Sequence, residues 1–174
     1  VLLSMNKYLK PDTIKKILVP LAFADYSQGV FNCAVQMVLK HDASLIVLSI
    51  INSRDIESVE SIVSMGYDVD AEHYVEEIRK ERKQKLNKMA DEAKIDKDKI
   101  KVMFKIGNPV DEILKVIIKE APDLVVMGTR GRGNLKNIIM GSVAEKVFKR
   151  SPVNVLSYRD EDVKKNLTKR FKSG

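Results

Sequence analysis

The sequence predicts a doubly wound α/β fold: a single parallel sheet of five strands with helices on both faces. Three observations predict it. Short apolar runs of six to eight residues occur five times along the chain. A segment of helical periodicity separates each run from the next, with no internal repeat and no low-complexity linker. The second run is continuously apolar rather than alternating, as a central strand covered on both faces must be. Strands joined through helices imply crossover connections and parallel pairing.

The elements follow in order. Lys15–Pro20 (KKILVP) reads as a buried strand ending at a proline. Ser27 is placed to cap the next helix, whose Val30, Ala34, Met37 and Val38 share a face. Ser44–Ile51 (SLIVLSII) is a second buried strand. Asn52 to Asp70 is the least regular part and reads as a mobile excursion. Asp70–Lys94 predicts a long polar helix with Glu76–Lys80 and Glu81–Lys85 pairs at i,i+4. Its Val75, Ile78, Leu86, Met89 and Ala93 form an inward stripe. Lys99–Lys105 is the third strand. Gly107-Asn108-Pro109 turns into a helix, with Pro109 at its start and Val110, Ile113, Leu114 and Ile117 inside. Asp123–Gly128 is the fourth strand, and a glycine-bearing loop runs to Met140. Ser142–Arg150 is a helix with Ala144, Val147 and Phe148 inward, and Val153–Tyr158 is the fifth strand.

Composition narrows the function classes. The chain has 174 residues, 44% hydrophobic and 32% charged, enough for one domain with a real core. No apolar run approaches the ~18 residues that span a bilayer. Val1–Lys10 lacks the long apolar stretch and small-residue cleavage site of a signal peptide. Cys33 is the single cysteine, so no intrachain disulfide forms; a reducing cytoplasm fits, and Cys33 reads as a small buried hydrophobe. The net charge of +7 invites a nucleic-acid reading, but the cations are interleaved with Asp and Glu and aromatic content is only 6%. The net-basic stretch is the tail Lys164–Lys172, and nucleic acid is not the expected partner.

In such a sheet, ligands bind beyond the carboxyl ends of the strands, where strand order reverses. Pro20–Ser27 and Gly128–Ser142 occupy such ends. In the second, Gly128-Thr129-Arg130-Gly131 is followed by nine residues and then Gly141-Ser142 at a helix start. Gly128 and Gly131 tolerate positive φ and let a phosphate approach the backbone. Gly141 leaves the first helical turn bare, where free N–H groups and the positive dipole end favour an anion. Ser142 adds a hydroxyl donor, and Arg130 and Arg132 are available for charge-assisted contacts. On the residues alone, the segment reads equally as turn glycines in a surface loop. A GxxxxGK[ST] loop is absent, and Gly131-Arg132-Gly133 meets Lys136 where a dinucleotide fingerprint needs its third glycine.

The stretch MGTRGRGNLKNIIMGSVAEKVFKRSPVNVL (Met127–Leu156) resembles the C-terminal signature of the universal stress protein family. The family's nucleotide binders carry G-x2-G-x9-G-[ST], met by Gly128, Gly131, Gly141 and Ser142. KKILVP, SLIVLSI and IGNPVDEI (Ile106–Ile113) match in family order, so the resemblance spans nearly all of residues 15–158. It implies a sheet of order 3-2-1-4-5 and a homodimer through the last strand, Val153–Tyr158. It also implies an ATP-binding stress-response protein, a sensor or switch that holds ATP or a related adenine nucleotide. By matching position, Pro20, Leu21, Ala22 and Ile50 surround adenine and ribose, Met127 and Gly128 close the end of the fourth strand, and Gly131, Gly141, Ser142 and Val143 meet the phosphates, with Arg130 beside them. One departure matters. Many binders have an aspartate where this chain has Ala22, and a serine where it has Ala24.

Residues 15–158 are thus expected to form the α/β domain, with 1–14 an extension and 159–174 a basic polar tail. Efficient catalysis is not expected. His41 and His73 read as surface residues, Ser142 has no base beside it in sequence, and no cluster has metal-ligand spacing. A Mg²⁺ arriving with the phosphates would be held mostly by them and by water. The alternative is a nucleotide-independent homodimeric interaction module recruiting an unknown downstream protein, favoured by Ala22 and Ala24.

Overall fold

The computed structural model describes residues 14–64, 70–129 and 140–172. Eleven elements follow in chain order, with a short 3₁₀ turn at Lys97–Lys99: β1 (Lys16–Leu21), α1 (Ser27–His41), β2 (Ser44–Asn52), α2 (Ser53–Ser64), α3 (Ala71–Ala93), β3 (Ile100–Gly107), α4 (Pro109–Glu120), β4 (Leu124–Gly128), α5 (Ser142–Arg150), β5 (Asn154–Tyr158) and α6 (Glu161–Lys172). The five strands form one sheet of order β3-β2-β1-β4-β5, and every pairing is parallel.

Alternation along β1 explains the layers. Ile17 and Val19 point into one apolar cluster and Leu18 into the other, all fully buried. The first cluster is closed by Val30, Phe31, Ala34 and Val38 of α1 and Leu86, Met89 and Ala90 of α3. The second is closed by Val110, Ile113, Val116 and Ile117 of α4 and Ala144 and Val147 of α5. Each Val, Leu, Ile, Met or Phe among them contributes about 1.5–3 kcal/mol by leaving water, so the sheet holds both helical layers. The amino ends of β1 and β4 are pinned together: Asp123 accepts from the backbone N–H of Lys15 and Lys16 at 2.8 and 2.9 Å, and its own N–H donates to Lys16.

Helix ends obey local chemistry. Asp70 caps α3 through Glu72 N–H, and Asn108 caps α4 by accepting from Val110 and Asp111. Gly107 before it has φ +150°, a conformation other residues resist. Ser27, expected as the cap of α1, instead lies in its first turn, buried; Tyr26 precedes the helix, and among the described residues the Ser27 hydroxyl has no partner.

Three further expectations are revised, and the tail gains a defined structure. Asn52–Asp70 is not irregular over its first part: Ser53–Ser64 is helical, started by Asn52 Oδ1 accepting from Arg54 N–H. Its thin apolar content hid that periodicity, and residues 65–69 lie outside the described residues. Glu76 pairs with Arg79 at 3.0 Å rather than with Lys80, while Glu81–Lys85 forms as expected. Phe148 is 38% exposed, whereas Ala144 and Val147 face inward. The basic tail is a helix, α6, begun by Asp160 and docked through buried Val163. Among the described residues, no helix is long and apolar enough to cross a membrane.

Candidate functional site

The strand order reverses between β1 and β4, so the loops leaving their carboxyl ends part to opposite faces. β1 pairs β4 at Leu18–Val125; three residues further along each strand lie Leu21 and Gly128. Leu21 is in register with Ser49 of β2, one residue before Ile50. Pro20, Leu21, Ala22, Ile50, Met127 and Gly128 therefore sit at one level of the sheet. Leu21 and Met127 are buried and belong to opposite apolar clusters, on the two faces of the sheet.

The start of α5 lies at the end of β4. Gly141 N–H donates to Thr129 carbonyl at 2.6 Å, and Thr129 N–H donates to Tyr158 carbonyl at 3.3 Å. These two bonds clasp the first turn of α5 to the carboxyl ends of β4 and β5. Ser142 opens α5 and is exposed, while Val143 is half-buried against the apolar layer behind it. Among the described residues, no acceptor takes the N–H groups of Ser142, Val143 or Ala144. Those amides and the helix dipole leave a positive, hydrogen-bond-donating end. The acid of that turn, Glu145, is drawn to Lys149 at 2.6 Å, and this hydrogen bond and charge hold its carboxyl below the usual range. Arg130, Gly131 and Arg132 lie outside the described residues.

Gly128 has a use the sequence did not suggest. It takes no positive φ, and a Cβ there would meet Tyr26 Cε2 at 3.1 Å and Val30 Cγ2 at 3.2 Å. Its bareness lets the first turn of α1 lie against the end of β4. Phe23, Tyr26 and Tyr158 all pack against the first apolar cluster. Phe23 itself holds φ +56°, strained for an aromatic residue.

The residue that sequence reasoning missed is Arg82 of α3. It is 7% exposed; Nη1 donates to Ser49 Oγ at 3.0 Å and to Ile50 carbonyl at 2.9 Å, and the guanidinium lies 5.6 Å from the Phe23 ring centroid. A signal existed, because position 82 lies four residues from both Ile78 and Leu86 on the inward stripe. A charged residue on that row reads as solvated until its partners are seen.

The remaining candidates are peripheral. His73 is exposed and pairs with Glu77 at 3.3 Å, and His41 lies in the last turn of α1. Cys33 is half-buried against the core, and burial pushes its thiol pKa up. Among the described residues, no three His, Cys, Asp or Glu side chains converge.

Comparison with known proteins agrees with this architecture. The family model of the universal stress protein family matches residues 13–159. Universal stress protein MJ0577 of Methanocaldococcus jannaschii is 32% identical over 150 residues, covering 82% of this chain and 93% of that protein. A solved structure of MJ0577 superposes with TM-score 0.69 at 28% identity, over 86% of this chain and 98% of that one. A universal stress protein solved in complex with cAMP shares the fold at TM-score 0.55 and 21% identity, over 84% and 98% of the two chains. With the sheet order and a family match over most of its length, the chain belongs to the universal stress protein family.

Proposed function

We propose that this universal stress protein binds an adenine nucleotide, ATP or a relative, at the carboxyl ends of β1 and β4, and acts as a sensor or switch rather than an efficient catalyst. The observation that carries the reading is the open amide end of α5, clasped to the exit of β4 by the Gly141–Thr129 bond. Hydrogen bonds to a charged acceptor are worth about 1.5–3 kcal/mol each, so a few amides and the Ser142 hydroxyl suffice to hold phosphate oxygens. Pro20, Leu21, Ala22, Ile50 and Met127 supply an apolar wall for the base, and Gly131, Arg130 and Val143 complete the phosphate side. Mg²⁺, when it accompanies the nucleotide, is carried by phosphates and water. That a universal stress protein of this fold was solved with cAMP supports the ligand class.

Thermal denaturation with ATP tests this. At a hundredfold excess over Kd, binding to the folded state alone adds about 2.7 kcal/mol, a rise in Tm of about 5–10 °C for a domain of this size. Gly131→Val with Ser142→Ala removes the rise. Wild-type protein showing no shift at millimolar ATP overturns the proposal.

The alternative, a nucleotide-independent interaction module, is favoured by Ala22 and Ala24, which replace polar groups of many binders. Protein purified with bound AMP or ATP counts against it. Under either reading we propose a cytoplasmic homodimer joined through Val153–Tyr158. β5 is an edge strand whose described partner is β4 alone, and residues 15–158 serve as the working domain. A monomer mass by light scattering at tens of micromolar refutes the dimer.

A further inference from the structure

We infer that Arg82 is a positioning residue for the base side of this site, an inference that rests on the nucleotide reading above. It ties the last part of β2 to the segment that leaves β1. From α3, its Nη1 grips β2 at Ser49 Oγ and Ile50 carbonyl, at 3.0 and 2.9 Å. The same guanidinium lies over the ring of Phe23, in the segment that follows Pro20 and Leu21 of β1 through Ala22. Ser49 is fully buried and in register with Leu21, so the tether acts directly beneath the crevice.

Two features argue that this is more than core packing. Burying a guanidinium costs several kcal/mol in desolvation, and a well-packed apolar residue of similar volume is often at least as good for stability. Stability alone is met as well by an apolar residue at position 82 paired with Ala at position 49, so it does not by itself call for the cation. Phe23, moreover, stands at φ +56°, and strained backbone persists where surrounding contacts over-determine it. The guanidinium over its ring is such a contact. Arg82 thus fixes the spacing between the β1 exit and Ile50 from a neighbouring helix.

The test titrates wild type, Arg82→Met and Arg82→Lys with ATP and with adenosine by calorimetry, at a temperature where each is folded. The expected result for Arg82→Met is a Kd weaker by about tenfold, equal for ATP and adenosine, with a lower Tm because Ser49 Oγ loses its buried partner. Arg82→Lys recovers part of the loss by keeping a cation over the ring. Ser142→Ala, as the contrast, weakens ATP and leaves adenosine unchanged. Hydrogen exchange on the ligand-free proteins reads the tether itself: Arg82→Met accelerates exchange at residues 22–25 and 49–52 selectively. Unchanged affinity in Arg82→Met, or a loss confined to ATP, overturns the inference. If wild type binds neither ligand, the nucleotide reading fails, and exchange unaltered at those two segments overturns the tether as well.

Discussion

Gly29 sits in the first turn of α1, where an alanine ordinarily helps: replacing glycine in a helix gains about 1 kcal/mol. Its φ is not in the left-handed region, so the backbone accepts the change. The obstacle is Tyr158. A Cβ at position 29 would lie 2.3 Å from the Tyr158 hydroxyl oxygen, 2.7 Å from Cζ and 2.8 Å from Cε1. The ring must retreat by about an ångström to restore ordinary contact, at a typical overpacking cost of about 1–3 kcal/mol. It cannot retreat freely, because Tyr158 is half-buried against the core and its carbonyl receives Thr129 N–H. The clash outweighs the helical gain. Gly29→Ala should lose about 1 kcal/mol, seen as a fall in Tm of about 2–4 °C. In a Tyr158→Ala background the sign reverses, since only the propensity term remains, and Gly29→Ala should then stabilise. The double-mutant cycle, measured by urea denaturation, should give a coupling energy of about 1–3 kcal/mol. A Gly29→Ala protein more stable than wild type, or a cycle additive within about 0.5 kcal/mol, refutes the packing argument.

Three other perturbations probe different parts of the molecule. Ala22→Asp restores a carboxylate at the β1 exit and should tighten ATP by one to two decades, from about 1–3 kcal/mol for a buried polar partner; calorimetry showing no change would place position 22 away from the ribose and base. Asn108→Ala removes the cap that accepts from Val110 and Asp111 N–H at 3.0 and 3.4 Å, so the urea midpoint should fall by the equivalent of about 1 kcal/mol with the slope unchanged. The hydrogen bond from Lys101, at 2.8 Å, holds the Glu120 carboxyl below its usual range. A depressed folded-state pKa contributes stability above the unfolded value, lost as pH falls through the folded one. Melting curves from pH 7 down to acid should therefore fall less steeply for Glu120→Gln than for wild type.

The alternation of apolar runs and helical stretches determined the fold class unaided, because burial periodicity is a local property of a strand or helix. β2 and α5 show it best: their predicted bounds differ from the observed ones by no more than a residue. The glycine spacing likewise marked the β4–α5 connection before any coordinates. What the tertiary structure decided were matters of partnership. Arg82 turns inward to meet Ser49 and Ile50, 33 and 32 residues away in the chain. Gly128 is bare for the sake of α1, and Gly29 for the sake of Tyr158. Phe148, on a stripe that looks inward, stays 38% exposed because Ala144 and Val147 already fill the interface. Periodicity reports which face a residue occupies along its own element. Whether a cation there is buried, or a missing side chain is filled by a neighbour, depends on groups brought together only when distant segments pack.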